Sequence, residues 1–192
     1  NKRFWLDFVQ NSRKLKKQIV RPKSFVAENV SGLVKGRAKG YFLAILNQLR
    51  KCGYKVEARL LNASYLGVPQ NRERLFFIGI REDLGKHPIF PKPLPYQYSI
   101  RDAVPWIDDD SKNEFEVEEA AYMKQSAALT RAWREIKGLG RYSQLGYTNR
   151  FELRRPSPNK PCATITATGG NAGMASVTHP YIPRKFSIAE TR

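Results

Sequence analysis

The chain of 192 residues contains few cysteines, few histidines and no long apolar run. Its two cysteines, Cys52 and Cys162, lie far apart and match no Cys-x-x-Cys or Cys/His spacing. A zinc site or a disulfide framework is therefore not predicted, and a reducing compartment is favoured. Because no stretch approaches the roughly 18 apolar residues of a membrane-spanning helix, a membrane partner is not expected either.

Acidic residues are also scarce, and their scarcity is the strongest compositional signal. The 17 Asp and Glu residues stand against 34 Lys and Arg, for a net charge of +17. Such an excess favours a polyanionic partner, most simply a nucleic acid. An RNA-binding domain would need aromatic side chains on an exposed sheet, whereas the aromatics here fall mostly within apolar runs.

Hydrophobic periodicity predicts alternating strands and helices in the first half of the chain. The pattern is typical of an α/β domain. We expect the first strand to be a buried parallel strand, the second and third strands to pair as antiparallel neighbours, and Gly53 to end the second helix. The predicted elements are a helix over 2–19, a strand over 24–30, a helix over 41–52, strands over 54–62 and 75–80, a helix over 120–136 and a β-type run over 163–168.

Charged side chains at two predicted strand ends are the candidate site. Glu28 ends the apolar run that starts at Ser24, in the position where open α/β sheets place their ligands. Arg72 and Arg74 lie two residues apart at the entry to a strand, so we expect both to point the same way. Guanidinium groups suit base oxygens and phosphates. A solvated glutamate and a surface charge run are the alternatives for each motif taken alone.

In this order, the two motifs resemble those of the DNA cytosine-C5 methyltransferases. Glu28-Asn29-Val30 is similar to the family's Glu-Asn-Val motif, and Gln70-Asn71-Arg72-Glu73-Arg74 to its Gln-x-Arg-x-Arg motif. Further similarity lies at residues 62–69, 99–104, 155–158, 161–165 and 179–190. The resemblance is strong over 24–104 and 150–192 and weak over 105–149.

The resemblance implies the C-terminal half of a Rossmann-like, S-adenosylmethionine-dependent methyltransferase sheet with a smaller, mixed target-recognition domain. We expect a partial catalytic α/β domain at 1–81, the target-recognition domain at 82–150, and a closing block at 151–192 that returns to the catalytic domain. The family's Pro-Cys nucleophile and Gly-rich cofactor loop precede the Glu-Asn-Val motif, and neither is found before Glu28 in this sequence. This chain is therefore expected to be the C-terminal portion of a methyltransferase and to be inactive alone.

The remaining catalytic half is expected in the same longer chain or in a separate subunit. The alternative is a DNA-binding remnant or subunit without catalysis. By resemblance, the partner is double-stranded DNA, as in restriction–modification, and the location is the bacterial cytoplasm at the nucleoid. S-adenosylmethionine is the expected cofactor, with its site mostly in the absent half, and no metal is expected.

Residue by residue, the resemblance assigns Glu28, Arg72 and Arg74 to catalysis. Glu28 would hold N3 and N4 of a flipped cytosine and Arg74 its O2, while Arg72 would lie near the catalytic loop. Cys162 follows a proline but lies in the wrong block, so we interpret it as structural and expect no nucleophile in this chain. The residues expected to bind substrate or DNA are Asn29, Gln70, Thr164, Arg141 and Arg150.

Overall fold

The computed structural model describes residues 22–34, 39–109, 127–136, 153–165 and 177–191. The predicted helix over 2–19 lies outside these ranges, as do most of the predicted helix before residue 127, residues 166–168, and Arg141 and Arg150. The strands are β1 (Ser24–Val30), β2 (Tyr54–Asn62), β3 (Gln70–Asn71), β4 (Glu73–Arg81) and β5 (Cys162–Ala163). The helices are α1 (Lys39–Lys51), α2 (Ile100–Ala103), α3 (Ala127–Glu135) and α4 (Ile188–Thr191), with short 3-10 turns at Ser31–Val34, Ala63–Tyr65 and Glu82–Leu84.

A three-stranded sheet in the order β1-β4-β2 forms the first half of the described chain. Strand β4 is antiparallel to both neighbours, with Val30 opposite Arg74 and Leu60 opposite Leu75. The predicted antiparallel pairing of β2 with β4 is confirmed. The prediction of a buried parallel strand at 24–30 is wrong for the described sheet: β1 pairs with an antiparallel strand, and its side chains alternate between exposed and half-buried.

The alternation in β1 follows from which face of the sheet α1 covers. Helix α1 packs Ile45, Leu46 and Leu49 against the face that carries Leu75 and Phe77. Alternate residues of a strand point to opposite faces, so the residues between these positions line the other, open face. The sequence therefore identifies an apolar strand. Whether one or both faces of that strand are buried depends on which other elements pack against the sheet.

Two positions in the three-stranded sheet and its helix require glycine. Gly53 has a positive φ of 79° and follows α1, and its N–H donates to the Arg50 carbonyl at 2.9 Å. This confirms the predicted helix end, because glycine adopts the left-handed conformation without steric cost. Gly79 lies against the Phe25 ring, and a Cβ at this position would collide with that ring.

The second half of the described chain has its own apolar core. Ile100 and Val104 of the α2 region pack with Cys162 and Phe186. A capping box begins α2: the Ser99 hydroxyl accepts from the Asp102 N–H, and the Asp102 carboxylate accepts from the Ser99 N–H at 2.8 Å. Such reciprocal bonds satisfy donors that a helix start leaves without intrahelical partners.

The chain divides into two compact units by its contacts. The first comprises Asn1–Asn62 with Glu73–Lys92, and the second comprises Ala63–Arg72 with Pro93–Arg192. In chain order, the first unit ends at Lys92 and the second resumes at Pro93. The second unit also takes the turn that contains Gln70, which sequence order alone would place with the strands on either side of it.

Candidate functional site

Glu28 and Arg74 form an ion pair on the open face of the three-stranded sheet. Arg74 Nε lies 2.8 Å from Glu28 Oε1. The register places Val30 opposite Arg74, so Glu28 is the diagonal neighbour of Arg74 on the same face. Arg74 Nη1 donates to the Glu73 carbonyl at 2.7 Å, which fixes the plane of the guanidinium.

The pair remains open to a ligand. The Glu28 side chain is 46% exposed and that of Arg74 is 22% exposed. Val26 and Val30 flank Glu28 on the same face, with exposures of 66% and 57%. The face thus presents one carboxylate and one guanidinium between apolar side chains, a set that can accept and donate hydrogen bonds side by side.

Asn29 does not join this pair. It lies on the opposite face of β1 from Glu28, because successive strand residues alternate. Its Oδ1 accepts from the Val30 N–H at 2.7 Å, a local bond at the strand end. The resemblance groups Glu28 with Asn29, whereas the strand geometry separates their side chains.

Gln70 and Thr164 belong to a second small site, within the other unit. Strand β3 pairs parallel with β5, with Gln70 opposite Cys162 and Asn71 opposite Ala163. The Cys162 N–H donates to the Pro69 carbonyl at 2.8 Å, and Thr164 Oγ1 donates to the Asn71 carbonyl at 2.7 Å. The sequence motif around Gln70 is therefore bound to a segment more than ninety residues later.

Arg72 lies in the link between β3 and β4, outside either strand. Its carbonyl accepts from the Ala63 N–H at 3.1 Å, and its side chain is half-buried. The prediction that Arg72 and Arg74 share one side assumed a continuous strand through both. Strand β4 begins at Glu73, so that periodicity argument does not reach Arg72.

Cys162 is a buried thiol with the character of a core residue. It is 5% exposed, and burial raises its pKa to about 12. Only the thiolate is an effective nucleophile, so at neutral pH almost none of this thiol is in the reactive form. Its position supports the structural interpretation that the sequence suggested.

A buried polar cluster near the C-terminal end was missed by sequence reasoning. Arg184 donates to both carboxylate oxygens of Glu190 at 2.7 Å each, and His179 Nε2 lies 3.5 Å from Glu190 Oε1. His179 Nδ1 accepts from the backbone N–H groups of Tyr181 and Ile182. His179 lies in a loop, and no local sequence pattern connects it to the carboxylate of Glu190.

Ser187 completes this cluster and supplies the signal that sequence reasoning could have used. The Ser187 N–H donates to Glu190 Oε2 at 2.7 Å, and the Glu190 N–H donates to Ser187 Oγ at 3.1 Å. A serine followed three residues later by a glutamate is the pattern of a capping box. The pattern would have located the start of α4 but not the burial of Glu190.

Opposing effects act on the pKa of Glu190. Burial raises the pKa of this carboxyl, but the hydrogen bonds from Arg184 and Ser187 and the charge of Arg184 outweigh burial and hold it below its ordinary value. The carboxylate is therefore ionised at neutral pH and bridges α4 to the preceding loop. Its side chain is fully buried, so the cluster is structural and does not face a ligand.

Neither a metal cluster nor a membrane-spanning helix occurs within the described residues. In the same ranges, His, Cys, Asp and Glu do not gather in groups of three that could hold an ion. Arg141 and Arg150, expected to contact DNA, lie outside the ranges that the structure describes.

Comparison of the sequence with family models gives a match over almost the whole chain. Residues 6–192 match the model described as "C-5 cytosine-specific DNA methylase". The match extends over the region 105–149, where the motif resemblance was weak.

Curated relatives cover either a short, similar segment or most of the chain. A type II methyltransferase of Methanothermobacter thermautotrophicus, M.MthTI, is 45% identical over 83 residues, which are 43% of this chain and 25% of that protein. M.NgoFVII of Neisseria gonorrhoeae is 29% identical over 88% of this chain and 48% of its own length. M.Sau96I of Staphylococcus aureus is 31% identical over 89% of this chain and 42% of its own length. The chain thus spans at most about half the length of these relatives.

One solved structure supports the fold. A prophage-encoded E. coli protein assigned as a DNA modification methyltransferase superposes with a TM-score of 0.61 at 19% sequence identity. The superposition covers 95% of this chain and 61% of that chain. At this identity the similarity shows a shared mixed α/β fold, which agrees with the α/β part of the predicted fold class.

Proposed function

Because the chain belongs to the C-5 cytosine-specific DNA methylase family, we propose that it forms the base-binding and target-recognition portion of a DNA cytosine-C5 methyltransferase. The whole enzyme would transfer a methyl group from S-adenosylmethionine to C5 of a cytosine flipped out of duplex DNA. The observation that carries the proposal is the Glu28–Arg74 ion pair on an open sheet face.

The pair complements the polar edge of cytosine. That edge presents an acceptor at O2, an acceptor at N3 and a donor at the N4 amine. A glutamate can accept from N4 and, when protonated, donate to N3, while a guanidinium N–H can donate to O2. Among the described residues, Arg74 uses Nε for Glu28 and Nη1 for Glu73, which leaves Nη2 for a base oxygen.

Protonation at N3 is the step that Glu28 would assist. When a cysteine sulfur adds to C6, electron density moves into the ring and onto N3, and a proton donated there by Glu28 stabilises the product of addition. Arg74 would stabilise the negative charge that develops at O2. Both groups need a base outside the stack, because a paired cytosine hides this edge.

The other expected residues take supporting roles in this proposal. Gln70 would shape the turn before Arg72, and Arg72 would lie near the catalytic loop. Arg141 and Arg150 would contact DNA phosphates or base edges, which suits the chain's net charge of +17. Asn29 would act at the strand end rather than on the base, since it does not share a face with Glu28.

The family uses S-adenosylmethionine, a cation at its sulfonium. The described residues near the proposed pocket do not fit it, because Arg74 neutralises the Glu28 carboxylate at 2.8 Å and leaves no net negative charge for a sulfonium. No step above is therefore routed through the cofactor. We propose that its site lies mostly in the half of the enzyme for which this chain has no counterpart.

We expect the 192-residue chain alone to transfer no methyl group. It would carry the base pocket, while the nucleophile and the cofactor site would come from the remaining half, in the same polypeptide or in a second subunit. The test is transfer of tritiated methyl from S-adenosylmethionine to duplex DNA, by the isolated chain and by the full-length protein.

The two arms of this test separate the proposals. Transfer by the full-length protein and none by the isolated chain is the expected result. Transfer by the isolated chain would contradict the proposed division of the site. A full-length protein that binds duplex DNA and never methylates it would replace the enzyme with the non-catalytic DNA-binding alternative.

Cys162→Ser in the full-length enzyme is expected to change the methylation rate by less than about twofold. A buried thiol whose pKa is raised to about 12 cannot serve as the nucleophile, and serine keeps a similar volume. Rates are compared at saturating DNA, alongside thermal melting to detect loss of folding. If the variant melts at the same temperature as the unsubstituted protein but transfers no methyl group, Cys162 takes part in the reaction.

A further inference from the structure

We propose that Thr164 is a positioning residue that holds the turn before Arg72 through the Asn71 carbonyl. The inference deepens the proposed function, on which it rests. It differs from the role that the family resemblance implies for Thr164, which is contact with the DNA backbone. The two roles compete for a single hydroxyl proton, and the structure shows that proton donated within the protein.

The hydroxyl of a threonine has one hydrogen to donate. Thr164 Oγ1 donates it to the Asn71 carbonyl at 2.7 Å, a short and well-formed bond. Phosphate oxygens only accept hydrogen bonds. Thr164 therefore cannot donate to a DNA phosphate while it holds Asn71, and the conformation seen here favours the internal bond.

The bond is part of a clamp on four consecutive residues. The Pro69 carbonyl accepts from the Cys162 N–H, the Asn71 carbonyl accepts from Thr164, and the Arg72 carbonyl accepts from the Ala63 N–H. Within the described residues, Thr164 contributes the side-chain donor to this clamp, whereas the other two donors are backbone groups. Thr164 is accordingly the member that a side-chain substitution can remove.

The clamp acts on Arg72, which the proposal places near the catalytic loop. Arg72 follows Asn71 directly and lies in no strand, so its backbone depends on bonds from outside the link. Strand β3 is only two residues long and pairs with a strand of the same length. Loss of the Thr164 bond would therefore loosen Arg72 while the larger sheet stays intact.

The test compares Thr164→Val, which keeps the shape and removes the donor, with Thr164→Ser, which keeps the donor. In the full-length enzyme we expect the valine variant to lose roughly tenfold in kcat and the serine variant to stay within about twofold of the unsubstituted enzyme. DNA affinity and its dependence on salt should be unchanged in both variants.

A matched control comes from a second threonine in the same unit. Thr178 Oγ1 donates to the Arg154 carbonyl at 3.2 Å, at an isolated bridge that does not involve β3. Thr178→Val removes the same kind of bond and should leave kcat within about twofold. An equal loss of kcat in both valine variants would mean general destabilisation and would overturn the proposal.

A phosphate contact would give a different set of results. In that case Thr164→Val weakens DNA binding with kcat preserved and alters the salt dependence of affinity. This outcome would overturn the positioning role, as would a valine variant that matches the unsubstituted enzyme in both kcat and affinity. An unsubstituted enzyme without methyl transfer is instead a failure of the proposed function.

Hydrogen exchange gives a readout that needs no activity. The Cys162 amide, which donates to Pro69, should exchange faster in Thr164→Val than in Thr164→Ser. The Val104 amide, which donates to the Ile100 carbonyl in the same unit, should keep its rate and show that the unit remains folded. If the Cys162 amide exchanges equally slowly in both variants, Thr164 does not hold the turn. This result requires no activity measurement.

Discussion

Glu28→Gln in the full-length enzyme is expected to reduce methyl transfer by about 100-fold or more, the scale of a lost general acid. The amide can still accept a hydrogen bond from Arg74 and from the N4 amine of the base. It cannot supply a proton to N3. Duplex DNA binding should stay within about threefold, since the pair faces a single base. Both quantities are measured on the same preparation, by tritium transfer and by fluorescence anisotropy.

The same sheet face provides a matched control. Glu57 lies on β2 with its side chain 45% exposed, close to the 46% of Glu28, and it pairs with Arg59 at 3.8 Å. Glu57→Gln therefore removes a similar charge without touching the proposed pocket, and its rate should change less than about twofold. A Glu28→Gln enzyme with an unchanged rate would remove Glu28 from the mechanism.

Glu190→Ala is expected to destabilise the second unit by about 3–5 kcal/mol, the usual cost of removing one partner of a buried ion pair. The Glu190 side chain is fully buried and accepts two bonds from Arg184. Its removal leaves the Arg184 charge buried without its carboxylate and leaves the Ser187 N–H without this acceptor. The loss in free energy of unfolding is measured by urea denaturation, followed through the hydrogen exchange of protected amides in the second unit.

Asp83→Asn is the control for this prediction. Arg81 and Asp83 also approach to 2.7 Å, but Asp83 is 58% exposed, and an exposed pair contributes little. Asp83 lies in the first unit, so its urea midpoint is read from amides of that unit, and Asp83→Asn should shift it far less than Glu190→Ala shifts the midpoint of the second unit. Equal shifts would show that the buried cluster adds no more stability than a surface pair.

The contribution of Glu190 should also depend on pH. The pKa of its carboxyl is held below the ordinary value of 4.5 in the folded state, so folding releases protons that the unfolded chain binds. The stabilising effect is fully present above pH 4.5 and is lost as the pH falls through the lowered folded value. The difference between the unsubstituted protein and Glu190→Ala should therefore shrink in that acidic window.

The periodicity of side chains correctly predicted those helices and strands whose formation depends on a single short segment. The run over 24–30 is a strand with the predicted ends, and the helix around Leu46 ends just before Gly53, as expected. These features depend on side-chain periodicity and backbone preference within a few residues. The β-type run at 163–168 is a strand only at Cys162–Ala163 within the described residues, because its ladder needs the distant turn at Gln70.

The sequence by itself determined the charge, the two motifs and the family of this protein. Only the tertiary structure decided which motif residues meet. The β1–β4 register brings Glu28 to Arg74 and turns Asn29 to the opposite face, and the fold buries His179 beside Glu190. Register and burial depend on contacts between segments far apart in the chain, whereas periodicity and propensity are local. The hydroxyl proton of Thr164 shows the same division, since its acceptor lies in a turn that no local pattern connects to it.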